Sequence, residues 1–81
     1  MTVRVLFFAS LARKLGQNHL NLDLPDGATV GDALRALEHQ FPPLSALGSQ
    51  LAIAVDLEYV GNDHTLTPDA ELALIPPVSG G

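Results

Sequence analysis

The residues best suited to chemistry stand together at positions 76–81, Pro76-Pro77-Val78-Ser79-Gly80-Gly81. Glycine has no Cβ, so Gly80-Gly81 can pass through a channel too narrow for any other residue. A carboxylate on Gly81 is also the least hindered acyl group a chain can offer. By itself it is a poor electrophile. As a mixed anhydride with AMP it would carry a good leaving group, and sulfide or persulfide could attack its carbonyl carbon. The product would be a thiocarboxylate, a nucleophilic sulfur on a flexible arm. The bland alternative is a frayed terminus. The two prolines stiffen the exit from the element before the arm, and that favours the chemical reading.

Other constellations carry less. There is no cysteine, which excludes disulfides, thiolate metal ligands and a cysteine nucleophile, so sulfur could not ride on a side chain. His19, His39 and His64 lack metal-ligand spacing, and no metal site is expected. Asp56, Glu58 and Asp63 could be imagined as an acid–base pair, but Glu58 and Asp63 flank a turn and read as solvated. Ser10 and Ser79 have no glycine elbow. Gly27-Ala28-Thr29-Val30-Gly31 lacks the lysine and spacing of a phosphate loop.

With 81 residues the chain makes one domain, which buries about 60–65% of its unfolded surface and has no room for a deep enclosed site. Chemistry therefore belongs at an edge, at a terminus or in a site shared with a partner. A 47% hydrophobic, 16% charged composition is globular. No apolar run approaches the roughly 18 residues of a membrane span, and no signal-peptide pattern opens the chain, so a cytoplasmic location is expected. The net charge is −5, and all four cations (Arg4, Arg13, Lys14, Arg35) fall in the first 35 residues. The acidic remainder disfavours nucleic acid and suits either a basic protein partner or simple solubility.

The elements that position the arm follow from periodicity. Val3 to Ala9 reads as a strand apolar on both faces, Val3, Val5 and Phe7 against Leu6 and Phe8, hence a central one. Ser10 is expected to cap a short helix through Leu15, closed by Gly16. His19 to Leu24 alternates as a half-buried strand, followed by a Pro25-Asp26-Gly27 turn. Thr29 should cap the main helix through the Asp32 N–H, with Val30, Leu34, Leu37 and Phe41 as the buried stripe beside Ala33. Pro42-Pro43 ends it, and one more turn to Leu47 is possible. Leu51 to Val55, a short Tyr59-Val60 edge and Glu71 to Ile75 complete the strands. This order predicts an α+β, β-grasp (ubiquitin-like) fold: a mixed sheet with one main helix across it, and the first and last long strands adjacent in the middle. The β-grasp domain is expected over 1–77, and 78–81 as a Gly-Gly tail.

Val3-Arg4-Val5-Leu6-Phe7-Phe8-Ala9, Ala54-Val55-Asp56 and Ile75-Pro76-Pro77-Val78-Ser79-Gly80-Gly81 resemble the small, sulfur carrier subunit of molybdopterin synthase, over essentially the whole chain. The resemblance implies that Gly81 is adenylated by an ATP-dependent activating enzyme and converted to a thiocarboxylate. It implies that Gly80 gives clearance, and that Val78 and Ser79 belong to the arm inserted into the large subunit. Phe8, Tyr59 and Ile75 match positions that meet the large subunit, in a heterotetramer built around a large-subunit dimer. Two sulfur transfers then turn cyclic pyranopterin monophosphate into the dithiolene of molybdopterin. On this reading the isolated chain is a carrier, the small subunit of a sulfurtransferase whose pterin pocket lies on the large one. No cofactor is held permanently, and ATP is consumed by the activating enzyme. Asp56 stands where that family often has Asn, and Ile75 where an aromatic is common.

Three other functions compete. A carrier for thiazole or tRNA thiolation would use the same tail with another acceptor. A ubiquitin-like modifier would join Gly81 to lysines of target proteins. A passive interaction domain would not need Gly81 at all. For Phe8 an interface is favoured over packing beneath the Ser10–Leu15 helix; for Leu6 the two stand even.

Overall fold

The computed structural model describes residues 1–47 and 50–77. Strand β1 (Thr2–Phe7) leads into helix α1 (Ser10–Leu15), then β2 (His19–Asp23), the main helix α2 (Val30–Gln40) and a single turn α3 (Leu44–Leu47). Strands β3 (Ala52–Val55), β4 (Glu58–Tyr59) and β5 (Glu71–Ile75) follow. They form one mixed sheet in the order β2-β1-β5-β3-β4, with β1 parallel to β5 and the other pairs antiparallel. The expected adjacency of the first and last long strands is present, with Val5 beside Leu72 and Phe7 beside Leu74.

Strand alternation divides the sheet into two faces. Val3, Val5 and Phe7 of β1, Leu72 and Leu74 of β5, and Ile53 and Val55 of β3 join Val30, Ala33 and Leu37 of α2 in the core. Phe41, just past α2, meets Phe7 edge to face, with ring centroids 5.7 Å apart. Arg4, Leu6, Ala54, Ala73 and Ile75 alternate with these core residues along their strands, and so take the opposite face.

The main helix begins as its sequence requires. The Asp32 N–H donates to Thr29 Oγ1 at 3.3 Å, and the Thr29 N–H donates to Asp32 Oδ2 at 2.9 Å, a reciprocal capping box. The hydrogen bond from the Thr29 backbone, with the Arg35 guanidinium nearby, holds the Asp32 carboxyl below its ordinary value of 3.8. A depressed carboxylate pKa adds stability above the unfolded value and loses it as pH falls through the folded one. The advantage of the wild type over Asp32→Asn should therefore be full above the unfolded carboxylate value, shrink as pH falls below it, and vanish only below the lowered folded value, in pH-dependent urea unfolding. Thr29→Ala should cost about 1 kcal/mol at neutral pH in the same measurement.

One cap departs from expectation. Ser10 is the first residue of α1 and not its cap; Ala9 occupies the cap position with φ 52° and makes no side-chain cap bond. The reason lies in β1. Phe8 still donates its N–H to the Leu74 carbonyl at 3.2 Å, so the chain turns only at Ala9. The Leu11 and Ala12 N–H groups then bond back to the Phe8 and Ala9 carbonyls. The other end is as expected: Gly16 adopts φ 75° and its N–H closes on Ala12 O.

Candidate functional site

The open face of the sheet carries the site. Phe8, Ala54, Leu57, Tyr59, Glu71, Ala73 and Ile75 line one shallow groove there. Its floor is made by the two alanines, cross-strand partners on β3 and β5. Both are buried, at 7% and 9% exposure, yet neither belongs to the core cluster. Ile75, paired with Ala52, is half-buried. Phe8 and Tyr59 stand up at 45% and 76% exposure. Helix α1 does not cover Phe8; it sends Leu11 into the core instead. The three residues expected to form an interface, Phe8, Tyr59 and Ile75, are thus brought together. Leu6 is half-buried and lies beside the groove, in a separate hollow with Phe7, Phe8, Asn18 and His19.

Glu71, which begins β5, is the acidic residue among those that line the groove; Asp56 stands in the β3–β4 loop, and Glu58 pairs with core-facing Val55 and so takes the other face. Arg4 meets Glu71 across the strands at 3.6 Å, an exposed contact worth little in water. Asp56 has a structural task. Its N–H donates to the Glu71 carbonyl at 2.9 Å, and its Oδ1 accepts the Glu71 N–H at 3.0 Å. The position needs an acceptor oxygen and tolerance of φ 49°, and Asp and Asn supply both. An Asn at position 56 would keep the turn equally well.

Leu57 was not legible as a site residue. Asp56 and Leu57 both have positive φ, 49° and 74°, and Val55 pairs with Glu58, so the two form a two-residue hairpin loop. An unbranched or branched side chain in this backbone region costs roughly 1–2 kcal/mol. The available signal was an apolar residue where such a loop prefers glycine. A larger cavity lies between α2 and β3, lined by Gly31, Leu34, Arg35, Glu38, Leu51, Ile53 and Asn62. It sits on the helix side of the sheet, and no residue of β5 lines it. Among the described residues no group of three or more His, Asp or Glu could hold a metal, and no helix is long and apolar enough to cross a membrane.

Val78, Ser79, Gly80 and Gly81, the expected arm and acyl site, lie outside the described residues. The strand that leads to them is β5, whose Ala73 and Ile75 line the groove.

A mixed five-stranded sheet crossed by one main helix, with an apolar groove on its open face, defines a β-grasp protein of the ubiquitin-like class. A model of the ThiS family matches residues 5–81, and the chain belongs to that family. It is 35% identical over 81 residues to a molybdopterin synthase sulfur carrier subunit of Dictyostelium discoideum, covering 96% of this chain and 94% of that one. It is likewise 35% identical over 82 residues to small archaeal modifier protein 1 of Haloferax volcanii, covering 91% of this chain and 94% of that one. The crystal structure of the Haloferax protein superposes with a TM-score of 0.90 over the full length of both chains, at 32% identity.

Proposed function

We propose that this chain is the sulfur carrier subunit of a molybdopterin synthase, charged at Gly81. One observation carries the reading furthest: the strand that runs into Pro76-Pro77-Val78-Ser79-Gly80-Gly81 also lines the apolar groove. Recognition surface and reactive end therefore adjoin. Membership of the ThiS family and the names of the relatives support the same reading.

The chemistry is that of an activated carboxylate. A Gly81 carboxylate oxygen attacks the α-phosphorus of ATP on the activating enzyme, and pyrophosphate leaves. Sulfide attacks the resulting acyl carbon, the C–O bond to AMP breaks, and a thiocarboxylate remains. Gly80 supplies clearance, Val78 and Ser79 form the inserted arm, and Phe8, Tyr59 and Ile75 seat the large subunit. In that complex, a heterotetramer with two copies of each chain, the thiocarboxylate sulfur passes to cyclic pyranopterin monophosphate, once from each of two carriers per dithiolene. At each transfer the sulfur bonds to a pterin side-chain carbon as that carbon's oxygen substituent leaves, which gives a thioester with Gly81; water then attacks the thioester carbonyl, the C–S bond breaks with the sulfur staying on the pterin, and the Gly81 carboxylate returns. The carrier works in the cytoplasm and holds no cofactor of its own.

Likeness to the Haloferax modifier favours a second reading, in which Gly81 is joined to lysines. A carrier for thiazole or tRNA thiolation would share the first chemical steps. Intact-mass measurement after incubation with the host activating enzyme, ATP and a sulfur donor tests all three. Replacement of one oxygen by sulfur at Gly81, followed by transfer to the pterin in the presence of the large subunit, is the expected result. Isopeptide-linked Gly81 would establish the modifier. A thiocarboxylate that passes its sulfur only to another acceptor would establish the other carriers. An unaltered chain would overturn all of them.

A further inference from the structure

We infer that Leu57 is an anchor for the large subunit, held ready by a strained turn, and that it sets how tightly this carrier is gripped. The inference rests on the reading that the large subunit covers the open-face groove.

Leu57 is 90% exposed and has φ 74°. Neither property benefits the free domain. A side chain so exposed gains little packing, and a Cβ in left-handed backbone is strained where Gly or Asn would not be. The turn is nevertheless braced, since both hydrogen bonds between Asp56 and Glu71 fasten it to the start of β5. The result is an apolar side chain whose direction is set before any partner arrives. Such preorganisation lowers the ordering cost of association.

Its neighbours identify the partner's chemistry. Leu57 lines the same groove as Phe8, Tyr59 and Ile75, and the carboxylate of Glu71 lines it too, with Asp56 Oδ1 on the Glu71 N–H. The complementary surface is an apolar pocket with a basic group on the side of Glu71 and Asp56. The position of the groove identifies which protein carries that pocket. Gly81 is the sixth residue after Ile75, a reach of at most about 20 Å. A protein that holds Gly81 in its own active site therefore stands close enough to cover Leu57. Of the two that receive Gly81, the large subunit is the one assigned to Phe8, Tyr59 and Ile75.

The test is calorimetric titration of the purified large subunit with the full chain carrying Leu57→Gly, Leu57→Asn or Leu57→Ala, each also melted alone. Leu57→Gly and Leu57→Asn remove the strain and should melt at or above the wild-type temperature, whereas Leu57→Ala keeps the strain. All three should bind about tenfold more weakly, as expected for loss of a central apolar anchor. Binding within about twofold of wild type by all three would overturn the inference. So would a fall in melting temperature for both Gly and Asn, which would make Leu57 a structural residue. A loss of affinity for the activating enzyme with none for the large subunit would also overturn it. Phe8→Ala separates this from failure of the underlying reading. If Phe8→Ala weakens binding and the Leu57 variants do not, only the anchor role fails. If none of them weakens it, or the wild type does not bind, the proposed function fails too.

Discussion

Deletion of Gly81 is expected to abolish thiocarboxylate formation while leaving the melting temperature of the domain unchanged. Among the described residues the buried core cluster lies between Val3 and Leu74, so the shortened chain keeps that core. What it loses is reach. One residue of extended chain is about 3.5 Å, and a misplacement of only about 1 Å at a reacting centre can cost a hundredfold in rate. Gly80 would remain as a glycine carboxylate of identical intrinsic reactivity. The prediction therefore isolates position from chemistry. Gly81→Ala makes the complementary change, keeping the length and adding a Cβ at the acyl carbon's neighbour. It should be charged more slowly than wild type but faster than the deletion. The readout is adenylate-dependent pyrophosphate release with the activating enzyme, alongside intact mass. Equal charging of the deletion and the wild type would show that Gly81 itself is not required, and charging of neither would leave a passive interaction domain.

The sheet was legible because its two faces are written in different residues. Val3, Val5, Phe7, Leu72, Leu74, Val30, Ala33 and Leu37 are buried, whereas Leu34 and Phe41 of the expected stripe are half-buried against that core. The apolar second face of β1 pointed to a central strand, and its pairing with β5 follows that reading. The candidate interface was legible only through its large members, Phe8, Tyr59 and Ile75. Its floor was not, because Ala54 and Ala73 look the same in sequence whether they face a core or a partner. What distinguishes them is their cross-strand pairing on the face opposite α2, and that pairing depends on register between segments remote in sequence. Leu57 was missed for a related reason. A leucine after strand residues reads as more strand until Val55 is known to pair with Glu58, which turns Asp56-Leu57 into a loop. Ser10 shows the opposite error. It has the composition of a cap, but the hydrogen bond from Phe8 to Leu74 delays the turn by enough to place Ala9 there instead.

Adjacent residues of β5 should give opposite outcomes when altered. Leu72 is fully buried in the core, and Ala73 lies on the groove floor between Leu6 and Ala54. Leu72→Ala removes a core side chain and should cost about 2–5 kcal/mol. A chain of this size has roughly 4–12 kcal/mol in all, so the melting temperature should fall by at least about 10 °C. Once corrected for the folded fraction, its affinity for the large subunit should be near that of wild type. Ala73→Arg should do the reverse. On an open face the long side chain can carry its guanidinium to water, so the free domain should melt within a few degrees of wild type. Beneath a partner the same charge would be buried without a counterion, at a cost of about 2–5 kcal/mol, or roughly 30-fold to several thousandfold in Kd. Glu71 nearby does not rescue it, because its carboxylate already meets Arg4. Melting curves and titration of the large subunit decide the matter together. Normal binding by Ala73→Arg would move the interface off this face, and unfolding by it would mean that the groove floor is part of the folding core. The two sites are adjacent on one strand and face opposite sides of the sheet, so loss of stability at one and loss of binding at the other is the pattern that a core face and a partner face predict.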